Sequence, residues 1–230
     1  MAALPLLPSI KRLLAGESPA EDWIRRRGWR GLARPIVLLT AAAAVYGAAM
    51  GAWRDPQLAF YVALKAPALL LAVAVVNALV NGAFAARFGV ELAFGETLRA
   101  VLLAFLLASI VLAALAPVFL WFALTLENQN DQAGRRAHDI LGIAHIAVIA
   151  FAGTLATLRQ MRWIASLGAA PSSSRALVVV WLATNLLAGA QISWILRPWF
   201  GTPSLEVAFL RAHPFDGTFY ESFLQMLLPS

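Results

Sequence analysis

The chain has 230 residues, 61% of them hydrophobic and 13% charged, against ~25% charged in an ordinary soluble domain. One soluble core of this size cannot bury that much apolar surface, so lipid must cover part of it. The fold class is therefore all-α, a polytopic membrane helix bundle. The net charge of +6 collects at the ends of apolar runs, which suits anionic headgroups and argues against nucleic acid as a partner. With no cysteine, disulfides, thiolate catalysis and cysteine-based metal or iron–sulfur sites are excluded.

Residues 1–34 read as a cytoplasmic interfacial segment. Their apolar stretch, 4–10, precedes the positive charges and is too short for a cleaved signal peptide, which leaves targeting to the first span. Ser18-Pro19-Ala20-Glu21 is a capping box with proline at the first helical position. Trp23, Ile24, Arg25, Arg26, Arg27, Trp29 and Arg30 come next, the aromatic and cationic mixture of an in-plane amphipathic helix. An ordinary positive anchor for the first span accounts for the same residues.

Residues 35–196 form the transmembrane domain. Crossing ~30 Å of hydrocarbon takes ~20 apolar residues, and five runs reach that, at about 35–52, 66–84, 100–124, 140–158 and 176–196. Ala43, Gly47 and Gly51 make a small-residue seam on the first, a common packing pattern that can also serve a dimer. Asp55-Pro56 is a helix start, and Pro67 interrupts the helix that begins there. The stretch between is either a short surface helix or a kinked extension of the second span. Lys65 lies in it, and snorkelling to the headgroups is its default. If the stretch enters the membrane, Lys65 becomes an anion or phosphate contact. Pro117 is placed to kink the third span. Pro171 and Ser172, Ser173 and Ser174 mark a cytoplasmic loop.

Orientation comes from Lys and Arg counts in the loops. Segments 1–34, 85–99 and 159–175 carry 12 of the 18, and segments 53–65, 125–139 and 197–230 carry 6. That bias puts the N-terminus in the cytoplasm and, across an odd number of spans, the 197–230 tail outside. In the tail, Asp216 or Thr218 can cap a last amphipathic helix carrying Phe219, Phe223, Met226 and Leu227. Interfacial amphipathic helices are thus expected at both ends of the bundle.

The five runs contain no Asp, Glu, Lys or Arg, and His145 is their sole imidazole. Function-bearing spans usually retain ionisable groups, so catalysis and ion coupling lose ground. His138 and His145 are seven residues apart, ~10 Å of helical rise, too far to share one metal ion without a break between them. The simpler assignment is a hydrogen bond from His145 to a neighbouring helix, with His138 in a wet loop. No cofactor or metal is expected. Asn77 and Asn81 share a face of the second span. Thr184, Ala188 and Gln191, with Asn185 alongside, form a stripe on the fifth. These amides suit interhelical glue, or the lining of a path for a small solute.

The string Gln191-Ile192-Ser193-Trp194-Ile195-Leu196-Arg197-Pro198-Trp199-Phe200-Gly201-Thr202-Pro203 reads as a span terminus, with Arg197 a candidate headgroup contact and Pro198 a helix stop. It resembles a Q-x-x-W-x-L-R-P-aromatic-x-G-x-P element of an uncharacterised bacterial multi-pass membrane protein family. Tyr46-Gly47-Ala48 through Gly51, Ala63-Leu64-Lys65-Ala66-Pro67 and Leu115-Ala116-Pro117 are similar to that group too. The resemblance covers about 46–205 and implies no activity. The architecture also resembles, loosely, the Yip1 superfamily of membrane-trafficking proteins.

The sequence thus points to a non-catalytic protein of the bacterial inner membrane that organises partners or lipids. Membrane lipid is the expected partner, with a second copy or other membrane proteins as further candidates. The rival is a transporter or channel for a small neutral or anionic solute, using Asn77, Asn81, Asn185, Gln191 and Lys65. An intramembrane enzyme around His145 ranks last.

Overall fold

The computed structural model describes residues 23–24, 31–87, 93–125, 132–166, 171–201 and 205–227. Among these residues the helices run in the order α1 (Ala33–Ala52), α2 (Pro56–Arg87), α3 (Phe94–Thr125), α4 (Gln132–Ser166), α5 (Pro171–Ile195) and the short α6 (Phe219–Leu227). No strand occurs among the described residues. The first five helices are each long and apolar enough to cross a membrane. The protein is an all-helical bundle built for a lipid environment.

Hydrophobicity located these helices but did not set their ends. At ~1.5 Å per residue, the 20 residues of α1 cover ~30 Å, while the 32 of α2 and of α3 cover ~48 Å. The extra turns begin at caps. Asp55 Oδ1 accepts from Gln57 N at 2.6 Å, and Pro56 occupies the first helical position, where a missing N–H costs nothing. From there α2 runs through Pro67 without a break in its helical assignment, so the extension of the second span forms and no separate surface helix does. At the start of α3, Glu96 Oε2 reaches back to Ala93 N at 2.8 Å, one half of a capping box. Pro171 likewise opens α5, so the serines expected in a loop form its first turn. α3 continues through Pro117.

α1 packs along both α2 and α3. α2 also meets α3 and α5, α3 meets α4, and α4 barely touches α5. The α1–α2 contact explains the small-residue seam. A Cβ on Gly47 would sit 2.6 Å from Val62 O, and one on Gly51 would sit 2.7 Å from Ala59 Cα and N and from Leu58 O. Backbone meets backbone there, so the seam is consumed within the chain and is not left for a dimer. One core cluster joins Leu39, Ala74, Ala78, Leu102, Ala156, Trp163 and Trp181; a second joins Tyr46, Trp53, Ala116, Phe119 and Leu141. Ile140, Ile143, Ile146 and Phe151 on α4, and Val179, Leu186 and Leu187 on α5, stay exposed. Such faces suit acyl chains as well as they suit another helix.

Ile24 is fully buried in the first cluster, and Trp23 lies against Arg99, whose guanidinium is 5.9 Å from the indole centroid. Arg99 Nη1 also donates to Ile24 O at 3.5 Å and to Gly95 O at 3.3 Å. Ile24 thus faces the protein core and not the headgroups. The remainder of the expected N-terminal interfacial helix (18–22 and 25–30) lies outside the described residues, as do the side chains of Phe223, Met226 and Leu227 on α6.

Candidate functional site

Asn77 and Asn81 are both wholly buried. One turn apart on α2, they form an amide chain with Asn185 of α5, Asn77 at its middle. Asn81 Nδ2 donates to Asn77 O at 2.8 Å and to Asn77 Oδ1. Asn77 Nδ2 in turn donates to Asn185 Oδ1 and, at 3.1 Å, to Trp181 O. The two bonds from Asn77 thereby stitch α2 to α5, and Asn81 braces Asn77 from one turn along the same helix. An amide left without a partner at this depth would forfeit its hydration for nothing in return, so the pairing is what permits these residues inside a span. Thr184 is not part of the chain; its hydroxyl donates to Val180 O of its own helix at 2.9 Å. Among the described residues, the buried Asn81 Oδ1, Trp181 Nε1, Gln160 Nε2 on α4 and Ser109 Oγ on α3 make no hydrogen bond within the protein.

A second polar group sits toward the other end of the bundle. His145 is buried, and its Nδ1 is hydrogen-bonded to the Tyr46 hydroxyl at 2.7 Å, joining α4 to α1. Its ring stacks on Phe119 with centroids 4.1 Å apart, and meets Phe200 edge-on at 5.3 Å. His138 lies in α4, not in a wet loop, and packs 4.9 Å from both Trp53 and Phe200. Its Nε2 contacts Gly201 O at 3.2 Å. Trp53 Nε1 donates to Phe200 O, and the two rings stack at 5.0 Å. The segment after α5 is therefore seated in an aromatic pocket shaped by α1, α3 and α4. Gly201 has φ +67°, a conformation that favours glycine. A Cβ there would come within 2.9 Å of Leu58 Cδ2. Among the described residues no group of three His, Asp or Glu side chains is arranged to hold a metal ion.

Lys65 is 1% exposed. It does not snorkel: Nζ donates to Pro198 O at 3.0 Å and lies 4.9 Å from the centroid of Phe209. Arg197 folds back onto its own helix, its guanidinium 3.9 Å from the Trp194 ring centroid and its Nη1 donating to Trp194 O at 2.9 Å. This closes the C-terminus of α5, where a cation complements the helix dipole. Gln191 leaves the amide chain and serves the tail, its Oε1 accepting from Phe219 N at 3.2 Å. Tyr220 donates to Leu187 O. Both contacts hold α6 against α5.

Of the candidates named from sequence, Asn77, Asn81 and Asn185 come together, while Gln191, His145, Lys65 and Arg197 occupy three other places. Sequence reading missed Tyr46 as the partner of His145, and the joint role of Trp53, His138 and Phe200. It had one usable signal. The strings around Tyr46, Lys65, Ala116 and Pro198, far apart in the chain, converge on this end of the bundle: Lys65 holds Pro198, and Phe200 packs on the cluster containing Tyr46 and Ala116. The chain matches no family model, no curated protein and no solved structure.

Proposed function

We propose that this chain is a non-catalytic integral membrane protein that organises partners or lipids, seated in a bacterial inner membrane with its N-terminus cytoplasmic and its tail outside. The observation that carries this reading is the amide chain. The buried Asn81 and Asn77 and the half-buried Asn185 bond to one another and to Trp181 O, which commits Asn77 and the Asn81 amide nitrogen to protein partners between two helices. Residues lining a solute path keep such groups turned toward the path. The broad apolar faces of α4 and α5 offer surface for lipid or for another membrane helix. The 12:6 division of basic residues supports the orientation.

A transporter or channel for a small neutral or anionic solute is the second reading. It draws on the unpartnered Asn81 Oδ1, Gln160 Nε2 and Trp181 Nε1, which are polar groups an entering solute or water would satisfy. Protein reconstituted into liposomes and tested with a panel of small neutral and anionic solutes separates the two. The first reading expects uptake no faster than in empty liposomes. Uptake abolished by Asn77→Leu, but not by a lipid-facing change such as Ile143→Leu, would overturn it in favour of the second.

A further inference from the structure

Lys65 and Arg211 are two cations joined through one stretch of the tail, and no counter-charge for either occurs among the described residues. Lys65 donates to Pro198 O. The preceding carbonyl, Arg197 O, accepts Arg211 N at 3.3 Å. Phe209, two residues before Arg211, lies over the ammonium. The tail thus passes over Lys65, and Arg211 is fixed by its backbone to the carbonyl next to the one that Lys65 holds. Neither cation has a carboxylate partner among the described residues. The only acidic side chain between Pro198 and Arg211 in sequence, Glu206, is exposed. Lys65 commits one of the three N–H donors of an ammonium to Pro198 O, and Arg211 is half-buried, its guanidinium without an acceptor among the described residues. Two cations brought together in a low-dielectric setting repel strongly, and an anion between or above them reverses the sign of that interaction.

The surroundings say which anion. Lys65 lies nine residues into α2 from Pro56, ~14 Å along a helix of ~48 Å, which puts it ~5 Å below the headgroup boundary for a span centred in ~30 Å of hydrocarbon, with the tail that carries Arg211 lying over it. On the same stretch Phe60 and Leu64 are exposed, as is Phe209 on the tail. Cations beside exposed apolar side chains fit a phosphate whose carrier has acyl chains. We propose that Arg211, backed by the buried charge of Lys65, binds a phosphate oxyanion, supplied by the headgroup of an anionic phospholipid. Arg211 makes the direct contact, and Lys65 acts through its fixed charge behind it, so the buried ammonium need not be uncovered.

This deepens the lipid half of the function proposed above. Its failure leaves the uptake result untouched, so the two fail separately. The test uses the delipidated full-length protein in neutral detergent, titrated in turn with phosphatidylglycerol, with diacylglycerol and with inorganic phosphate. Binding is read by native mass spectrometry and by the shift in unfolding temperature. Phosphatidylglycerol should bind and stabilise, and diacylglycerol should not. Arg211→Gln and Lys65→Met should each weaken binding about tenfold, with Lys65→Arg restoring it. Arg211→Gln lies on the half-exposed tail, so it keeps the test decisive if Lys65→Met fails to fold. Stabilisation by inorganic phosphate alone, lost in the same variants, would support the site and make free phosphate its ligand. Equal response to phosphatidylglycerol and diacylglycerol, or binding indifferent to both substitutions, would overturn the proposal.

Discussion

Substituting Gly51 by alanine adds one methyl group where α1 and α2 touch backbone to backbone. The new Cβ would lie 2.7 Å from Ala59 Cα and N and from Leu58 O, whereas relaxed carbon contacts lie at about 3.5–4.0 Å. None of those atoms is the end of a flexible side chain. The helices must therefore separate by roughly 1 Å, and every pair along the seam loosens with them. Overpacking of this kind costs about 1–3 kcal/mol. Against it stands a gain of at most about 1 kcal/mol for replacing a helical glycine with alanine. Gly51→Ala should thus be destabilising by about 1–2 kcal/mol on balance, and Gly47→Ala, with a contact of 2.6 Å to Val62 O, should move the same way. Gly142 and Gly153 on α4 have nothing within 4 Å of an added Cβ, so alanine there should be neutral or mildly stabilising. Unfolding in detergent micelles followed by tryptophan fluorescence, paired with light scattering for the oligomeric state, measures both effects. If Gly51→Ala unfolds like the parent while an oligomer dissociates, the seam lies between chains and the packing argument is wrong.

Three further predictions concern the polar contacts. In a double-mutant cycle, Asn77→Leu and Asn185→Leu should couple by about 0.6–1.7 kcal/mol, the range for interhelical bonds in membranes; additive losses in the same unfolding assay would show that the two amides do not meet. Tyr46→Phe should cost about 1–2 kcal/mol by leaving the buried His145 Nδ1 unbonded, and His145→Leu in the same chain should add less than it does alone. Gly201→Ala forces a Cβ into φ +67°, at a cost of about 1–2 kcal/mol, and into Leu58. Hydrogen exchange should then speed up around 194–201 and at Trp53, whereas Gly217→Ala, also at positive φ but with its nearest contact at 3.5 Å, should leave that region protected.

The spans were legible because hydrophobicity is a property of each residue summed over a window, and all five runs are helices. Their ends were less so. Arg99 and Arg159 read as loop charges, yet they lie within α3 and α4, and Lys65, left between a surface helix and an extension of the second span, lies within α2, because the hydrogen-bond ladder runs on past the apolar window until a cap stops it. Asn77 and Asn81 could be paired from their i, i+4 spacing, but the choice of Asn185 over Gln191 depends on how α2 and α5 cross. Spacing within one helix carries no information about that. The same limit hid the bond between Tyr46 and His145, 99 residues apart. Gly47 and Gly51 announced a close approach, and only the fold says that α2 supplies it.

A chain that crosses the membrane five times leaves its two ends on opposite faces, and the proposed function depends on that topology. The sequence contains no cysteine, so single cysteines at Ser9→Cys and Ala212→Cys can be labelled in cells by a membrane-impermeant maleimide without interference. Ala212→Cys should label in intact cells, and Ser9→Cys only after the membrane is permeabilised. Labelling of both positions from the same side would contradict the five-span topology and the functional reading built on it.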